Sequence, residues 1–208
     1  MVKNLNQDSI KDLVKTPSNL PRSNPSDSSP MPGTISTNSF SSLEKFLANK
    51  DWESSNTYTM KILIEMADSS RPNRDFNQDW LEPEDIESLS CSGLRTIDNL
   101  WSTASNKRFG FTAQSEIWKK VRGATKTQPD NPEIRKKFSS LIGWIGADRG
   151  QFDLNKLNSK IVADFKSLPQ GYLPSSLGKY VGSQIWVGNL NEFATLTSKL
   201  KKCKISQN

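Results

Sequence analysis

One stretch, Cys91 to Trp118, constrains the fold more than any other. Leu94, Ile97, Trp101 and Ala104 recur at helical spacing while Arg95, Asp98, Asn99 and Ser102 fall on other faces, so the spacing predicts an amphipathic helix with one buried side. Ser105-Asn106 supplies polar stop residues, and Phe109-Gly110-Phe111 places two rings around a residue that lets the backbone turn tightly. Thr112 is positioned to cap a second helix, with Ile117, Trp118 and Val121 on one side and Lys119, Lys120 and Arg122 on the other. Two helices therefore meet at an aromatic corner with a cationic edge. Aromatic residues mostly serve as core, so a sealed helical hairpin and a partly open slot both fit this pattern.

The remainder of the chain divides by composition. Residues 1–39 are crowded with Ser, Asn and Pro and cannot bury enough apolar area to offset chain entropy, which predicts a disordered segment. An organelle transit peptide is the alternative, and Asp8 and Asp12 argue against it. A helical domain is expected over 40–200. Its first helix starts at the Ser41-Ser42-Leu43-Glu44 capping box with Leu43, Phe46 and Leu47 on one face; a second follows Asp51, with Met60, Leu63, Ile64 and Ala67 inside, and packs on the first as a hairpin. Ser69 to Gln78 reads as a polar loop. In Pro83-Glu84-Asp85-Ile86-Glu87 the acids suit the positive end of a short helix.

Residues 134–145 read as a helix with Phe138, Leu141, Ile142 and Ile145 inside, and 147–174 as a long apolar stretch without sustained periodicity, the pattern of a functional loop. A segment around Trp186 and a final helix with Leu190, Phe193, Ala194 and Leu200 follow, and 201–208 reads as a basic tail. The fold class expected is all-α: one compact multi-helix domain with a long irregular loop.

Composition narrows the chemistry. The chain has no histidine, which removes a histidine-based triad or dyad, a histidine general base, a histidine zinc site and a proximal-histidine haem; no enzyme is expected. Cys91 and Cys203 are too few for an all-cysteine zinc site and form no CxxC unit; Cys91 reads as a small buried residue at a helix start. No apolar run is long enough to span a bilayer and no signal peptide opens the chain, so a soluble protein in a reducing compartment is expected. The formal charge of +6 favours anionic partners. A nucleic-acid or acidic-lipid module, with all rings in the core, would betray itself by affinity falling steeply with salt; the basic run from Lys119 to Lys137 lacks exposed aromatic interleaving, so no nucleic-acid partner is expected.

Leu94-Arg-Thr-Ile-Asp-Asn-Leu-Trp101 followed by Lys107-Arg-Phe-Gly-Phe-Thr-Ala-Gln114 closely resembles the signature of the Genomes-Uncoupled-Four family. Asp51-Trp52-Glu53, Trp80-Leu81 and Pro169-Gln-Gly-Tyr-Leu-Pro174 extend the resemblance over roughly 40–190. The resemblance implies a non-catalytic protein that binds protoporphyrin IX or Mg-protoporphyrin IX and activates or supplies the large, porphyrin-binding subunit of magnesium chelatase in chlorophyll biosynthesis. An open-chain bilin is the alternative ligand. The resemblance further implies a flap, formed by the 147–174 loop, over the ligand groove, and a monomer in a cyanobacterium-like cytoplasm or a plastid stroma. The Lys199–Lys204 end reads as cations suited to a helix C-terminus, with peripheral contact to acidic lipid as the alternative. Two departures stand out: the family pattern has Ala-Asp where this chain has Ser55-Asn56, and histidine where it has Tyr172.

A porphyrin is a flat apolar disc with carboxylates along one edge, so its host needs greasy walls and a cationic rim. Trp101, Phe109, Phe111, Trp118 and Phe165 are the expected walls, Leu173 and Pro174 the closing side, and Lys107, Arg108 and Lys179 the rim; Gln114, from the same motif, completes the expected ligand-binding set.

Overall fold

The computed structural model describes residues 37–75, 77–123, 131–144, 151–153, 165–175, 179–181, 184–186 and 191–205. Expectations for residues 1–36, Ile145 and Leu190 lie outside them. Helix α1 spans Thr37–Ala48 and α2 Trp52–Ser70. The first starts four residues before the expected capping box, because Ser39 is buried and its hydroxyl donates to Glu65 Oε2 at 2.8 Å, tying the helix start to α2. Asp51 caps α2 by accepting from Ser54 N at 3.1 Å, and the two helices pack as a hairpin through Leu43, Leu47 and the Phe46–Tyr58 ring pair. At the corner, Lys50 adopts φ 58° and sends its ammonium to the Ala104 carbonyl at 2.6 Å.

The polar loop after α2 leads to helix α3, Pro83–Ser88. Here the structure corrects the sequence reading. Asp85 does more than complement a helix dipole: it is buried, accepts from Glu82 N at 2.9 Å, and pairs with Arg71 at 2.5 Å and with Arg74 Nε at 3.2 Å. The Arg74 side chain is only 2% exposed and also holds Asp68 at 2.6 Å and the Gln78 and Trp80 carbonyls at 2.9 and 2.5 Å. A segment that is polar in sequence is thus folded around a buried charge cluster.

Helix α4, Cys91–Ala104, is the central element: Ser90 caps it by accepting from Gly93 N, and Leu94, Ile97 and Trp101 face the core as the spacing predicts. A Cβ on Gly93 would stand 2.5 Å from Met66 Cε, so glycine there sets how closely α4 approaches α2. Helices α5, Phe111–Gly123, and α6, Pro132–Leu141, pack together, joined by the Trp118–Phe138 contact at 5.3 Å. Leu141, expected inside, is 50% exposed; Trp144, just past the helix end, is buried and meets Phe138 and Phe193 instead.

Of the irregular flap expected over 147–174, residues 147–150 and 154–164 lie outside the described ones; the rest contributes a strand and a 3-10 turn, and the strand's sheet partners come from beyond the flap. Strands β1 (Gln151–Asp153), β2 (Lys179–Val181) and β3 (Gln184–Trp186) form an antiparallel sheet in the order β1-β3-β2, with Phe152 and Tyr180 both opposite Ile185. A 3-10 turn, Phe165–Ser167, lies between β1 and β2. Three-residue strands are too short to display a period of two, and although β2 and β3 are neighbours in the chain, β1 lies some thirty residues before its partner β3. The fold remains helical in class, with this small sheet as its departure.

Helix α7, Asn191–Lys202, closes the chain with Phe193, Leu196 and Leu200 in the core. It packs on α3 and α5. The two cysteines correct a further expectation: Cys91 and Cys203 form a disulfide across 112 residues, and Cys203 and Ile205 belong to the packed domain and not to a loose basic tail. Sequence spacing could not show this, because only packing brings the end of α7 to the start of α4. No described helix is long and apolar enough to cross a membrane.

Candidate functional site

The corner between α4 and α5 is built by its own backbone. Ser105 ends α4, its hydroxyl donating to Trp101 O at 2.7 Å and accepting from Phe109 N at 2.9 Å. Asn106 and Lys107 then take left-handed φ values of 53° and 63°, and Gly110 sits at φ 114° with a hypothetical Cβ only 2.8 Å from Asp98 Oδ1. Glycine is required there on both counts. The cap of α5 is Asp98, reaching across from α4: its carboxylate accepts from Thr112 N at 2.9 Å and from the Thr112 hydroxyl at 2.5 Å. Thr112, expected as the cap, is the residue being capped. Burial raises the Asp98 pKa; the Thr112 and Phe111 hydrogen bonds oppose that shift without cancelling it.

A strap formed by residues 165–175 closes over this corner. Gly110 N donates to Leu173 O at 3.0 Å, and Gly171 N to Arg108 O at 2.8 Å. Gln114, buried in α5, donates from Nε2 to Gly171 O at 3.0 Å and Pro174 O at 2.7 Å; Trp144 Nε1 donates to Tyr172 O at 3.0 Å. Arg108 donates to Lys166 O at 3.0 Å and Leu168 O at 2.5 Å, with its guanidinium 5.4 Å from the Phe109 ring centre. Asn56 secures the end of the strap, accepting from Ser175 N at 2.7 Å and donating to Ser175 Oγ at 2.9 Å. At this departure from the family pattern the amide satisfies both donor and acceptor in the dark, where an unpaired buried group costs about 1–3 kcal/mol. Asn56→Leu is therefore expected to destabilise the fold by about that much, and hydrogen exchange at Ser175 should rise well above that at Leu94.

Tyr172, the other departure, is buried in the strap, and burial pushes its phenol up to about 12 from an ordinary value near 10. It is neutral at physiological pH and does not replace an imidazole base. Because the folded state holds this proton more tightly, its contribution to stability is complete below about pH 10 and is lost as pH rises toward 12. Tyr172→Phe should flatten the fall in urea midpoint between those pH values; an unchanged slope would assign the alkaline loss to other groups.

The expected walls are placed differently from the open slot. Trp101 and Phe111 are 0% exposed, Phe109 1% and Trp118 3%, so all four rings are core. Trp101 stacks on Trp52 at 6.1 Å and donates to Thr59 Oγ1 at 2.9 Å; Trp118 packs on Phe138. Leu173 and Pro174 are buried with their carbonyls committed to the corner. Arg108 is a clamp on the strap rather than a projecting rim charge. Lys107 is exposed. The side chains of Phe165 and Lys179 lie outside the described residues.

A concavity of about 530 Å³ does lie beside the corner, lined by Asp98, Asn99 and Ser102 of α4, Lys107 and Phe109 of the corner, Thr112, Ala113 and Glu116 of α5, Gln170 of the strap and Ile205. Its volume falls in the ~300–1,000 Å³ range of small-molecule sites. Among the described residues, Phe109 is the expected wall residue that borders it. Of this lining the sequence pointed only to Lys107 and Phe109; Asp98, Asn99 and Ser102 of α4 and Thr112, Ala113 and Glu116 of α5 follow helical spacing, which was legible, whereas Gln170 and Ile205 arrive by tertiary folding. A second concavity of about 490 Å³, between α1 and α4, is lined by Leu47, Leu100 and Ala104 with Glu44 and Lys50 among its polar residues. Among the described residues no group of three or more His, Cys, Asp or Glu could hold a metal ion.

Fold and site together define a helical domain whose corner motif and strap frame a cavity of small-molecule size. The chain belongs to the GUN4-like family, whose model matches residues 34–192. It is 30% identical over 83 residues to a tetrapyrrole-binding protein, chloroplastic, of Arabidopsis thaliana, covering 40% of this chain and 30% of that protein. It is 31% identical over 138 residues to an uncharacterized ycf53 protein of Pyropia yezoensis, covering 65% of this chain and 49% of the relative. The chain thus spans less than half the length of these curated relatives. The ligand-free structure of Arabidopsis thaliana GUN4 is similar in fold, with a TM-score of 0.50 and 20% identity over 81% of this chain and 98% of that one.

Proposed function

We propose that this chain binds a tetrapyrrole in the cavity beside Phe109-Gly110-Phe111 and acts as a carrier or activator without chemistry of its own. One coincidence carries the reading: the family match spans a corner motif that itself borders a cavity of about 530 Å³, through Lys107 and Phe109. Phe109, Ala113 and Ile205 supply apolar contact, and Lys107 is the cation beside the cavity for a propionate. Because Lys107 is exposed, such a contact contributes about 0.2–1 kcal/mol, and reversing its charge changes the affinity by roughly twice that. Trp101, Phe111 and Trp118 act indirectly, as the core that fixes the corner; Gln114, Arg108, Leu173 and Pro174 hold the strap. Phe165 and Lys179 remain candidates through the family resemblance.

Protoporphyrin IX and Mg-protoporphyrin IX are the ligands proposed. Magnesium is a hard cation satisfied by water or carbonyl oxygen, so the lack of histidine is no obstacle. One observation favours a bilin as second reading: Asn99, Ser102, Thr112, Glu116 and Gln170 make the lining more polar than a closed apolar disc requires. The partner proposed is the large subunit of magnesium chelatase, in a plastid stroma or cyanobacterial cytoplasm.

Titration with protoporphyrin IX, its magnesium complex and an open-chain bilin, followed by tryptophan quenching and absorption shift, tests the reading. Micromolar or tighter binding is expected for at least one, largely insensitive to salt, and weakened roughly two- to thirtyfold by Lys107→Glu but not by Lys120→Glu. No binding of any of the three would end it. Addition to magnesium chelatase then tests the partner separately, with faster metal insertion expected.

A further inference from the structure

We propose that the Cys91–Cys203 disulfide is a redox latch that holds one wall of the cavity in place. Its geometry, not the tetrapyrrole reading, carries this inference. Cys91 is the first residue of α4, and Cys203 follows the last residue of α7. Arg95, one turn beyond Cys91, donates from Nη2 to Cys203 O at 2.7 Å. The chain then reverses: Lys204 adopts φ 55°, Lys204 N donates to Lys201 O at 3.1 Å and Ile205 N to Leu200 O at 3.0 Å. That reversal brings Ile205 to the cavity, opposite Asp98, Asn99 and Ser102. Cys91, Arg95, Asp98 and Ser102 follow one another along a single face of α4, so the disulfide anchors the 203–205 turn at one end of a row of residues that ends in the cavity lining.

The remaining ties decide what reduction would release. Helix α7 is kept by Phe193, Leu196 and Leu200, all buried, and would stay docked. The Lys202–Glu87 pair is exposed and adds little. The 203–205 turn, by contrast, has the disulfide, one Arg95 hydrogen bond, its own reversal and only the small Cys203 side chain with a half-buried Ile205 against the core. Breaking the disulfide should therefore loosen the turn and the Ile205 wall without melting the helix.

The chemistry is thiol–disulfide exchange with an external dithiol. Cys91 is partly exposed whereas Cys203 is buried, so the attacking thiolate forms a bond to Cys91 Sγ, the S–S bond breaks, and Cys203 leaves as a thiolate that takes up a proton. The second thiol of the reductant then displaces Cys91, leaving two protein thiols and an oxidised dithiol. Two placements favour the reduced form: Cys91 opens a helix, where the dipole stabilises a thiolate, and the Arg95 guanidinium is held at the Cys203 backbone. In a compartment with glutathione or thioredoxin, a disulfide of this kind serves redox sensing more often than permanent bracing.

The test is amide hydrogen exchange on the full chain in graded ratios of oxidised and reduced dithiothreitol, with the disulfide fraction read by alkylation and mass spectrometry. Exchange over 203–205 is expected to rise at least tenfold on reduction while Phe193–Leu200, Leu94–Ile97 and Ile117–Val121 stay protected. Cys91→Ser/Cys203→Ser should show the loosened turn at every ratio. A uniform rise across all helices would make the bond a structural staple, and no rise at 203–205, or no disulfide under fully oxidising ratios, would equally overturn the latch. Pigment titration plays no part in these readouts, so failure of the ligand reading would leave the latch standing, and the reverse.

Discussion

Trp101→Ala should lower the unfolding free energy by about 3–5 kcal/mol, the range for deleting a large ring from a closed core. The indole is wholly enclosed, stacked on Trp52 at 6.1 Å and bonded through Nε1 to Thr59, so its loss leaves a cavity and takes a donor from the buried Thr59 hydroxyl, which keeps its own bond to the Ser55 carbonyl at 2.8 Å. At about 2–4 °C of melting temperature per kcal/mol for a chain of this size, the melt should fall by about 6–20 °C. Trp101→Phe separates core from ligand wall. It keeps most of the ring and loses the Thr59 bond, for a cost near 1–2 kcal/mol. If the ring is core alone, tetrapyrrole affinity is unchanged in this variant; a tenfold loss with the fold intact would restore Trp101 as a direct contact.

Arg74→Met should cost a comparable amount, about 3–5 kcal/mol, because it removes one partner from a buried charge cluster. Asp85 would keep Arg71, whose side chain is 40% exposed, but lose the buried guanidinium; Asp68 and the Gln78 and Trp80 carbonyls would lose a donor as well. Urea denaturation measures the loss, and Arg74→Met combined with Asp85→Leu should recover part of it, since exchanging a buried pair for apolar groups costs less than stranding one charge. A single substitution within 0.5 kcal/mol of the parent chain would show that water, not protein, satisfies Asp85.

Both residues illustrate how legible the chain was. Trp101 declared itself, since helical spacing with Leu94 and Ile97 places it on a buried face whatever it packs against. Arg74 did not: it lies in a polar stretch that local pattern reads as a loop, and its burial depends on carboxylates from α2 and α3 converging on it. The corner motif was legible as a motif, including the need for Gly110, but whether its rings faced a guest or the core was not. Leu141 shows the same limit, exposed at 50% although its helical spacing places it with Phe138 and Ile142, because Trp144 fills the core in its place. The three-residue strands left no periodic trace at all.

Helix order, the turn at Phe109-Gly110-Phe111, the lack of histidine chemistry and the family resemblance were set by the sequence alone, because each depends on residue type and on spacing within one or two turns. The cavity beside the corner, the strap pinned by Asn56, Arg108 and Gln114, the charge cluster around Arg74 and the bond between Cys91 and Cys203 were decided only by tertiary structure. Each joins residues from separate elements, and no local pattern encodes which distant group will arrive to satisfy a buried polar atom or complete a wall.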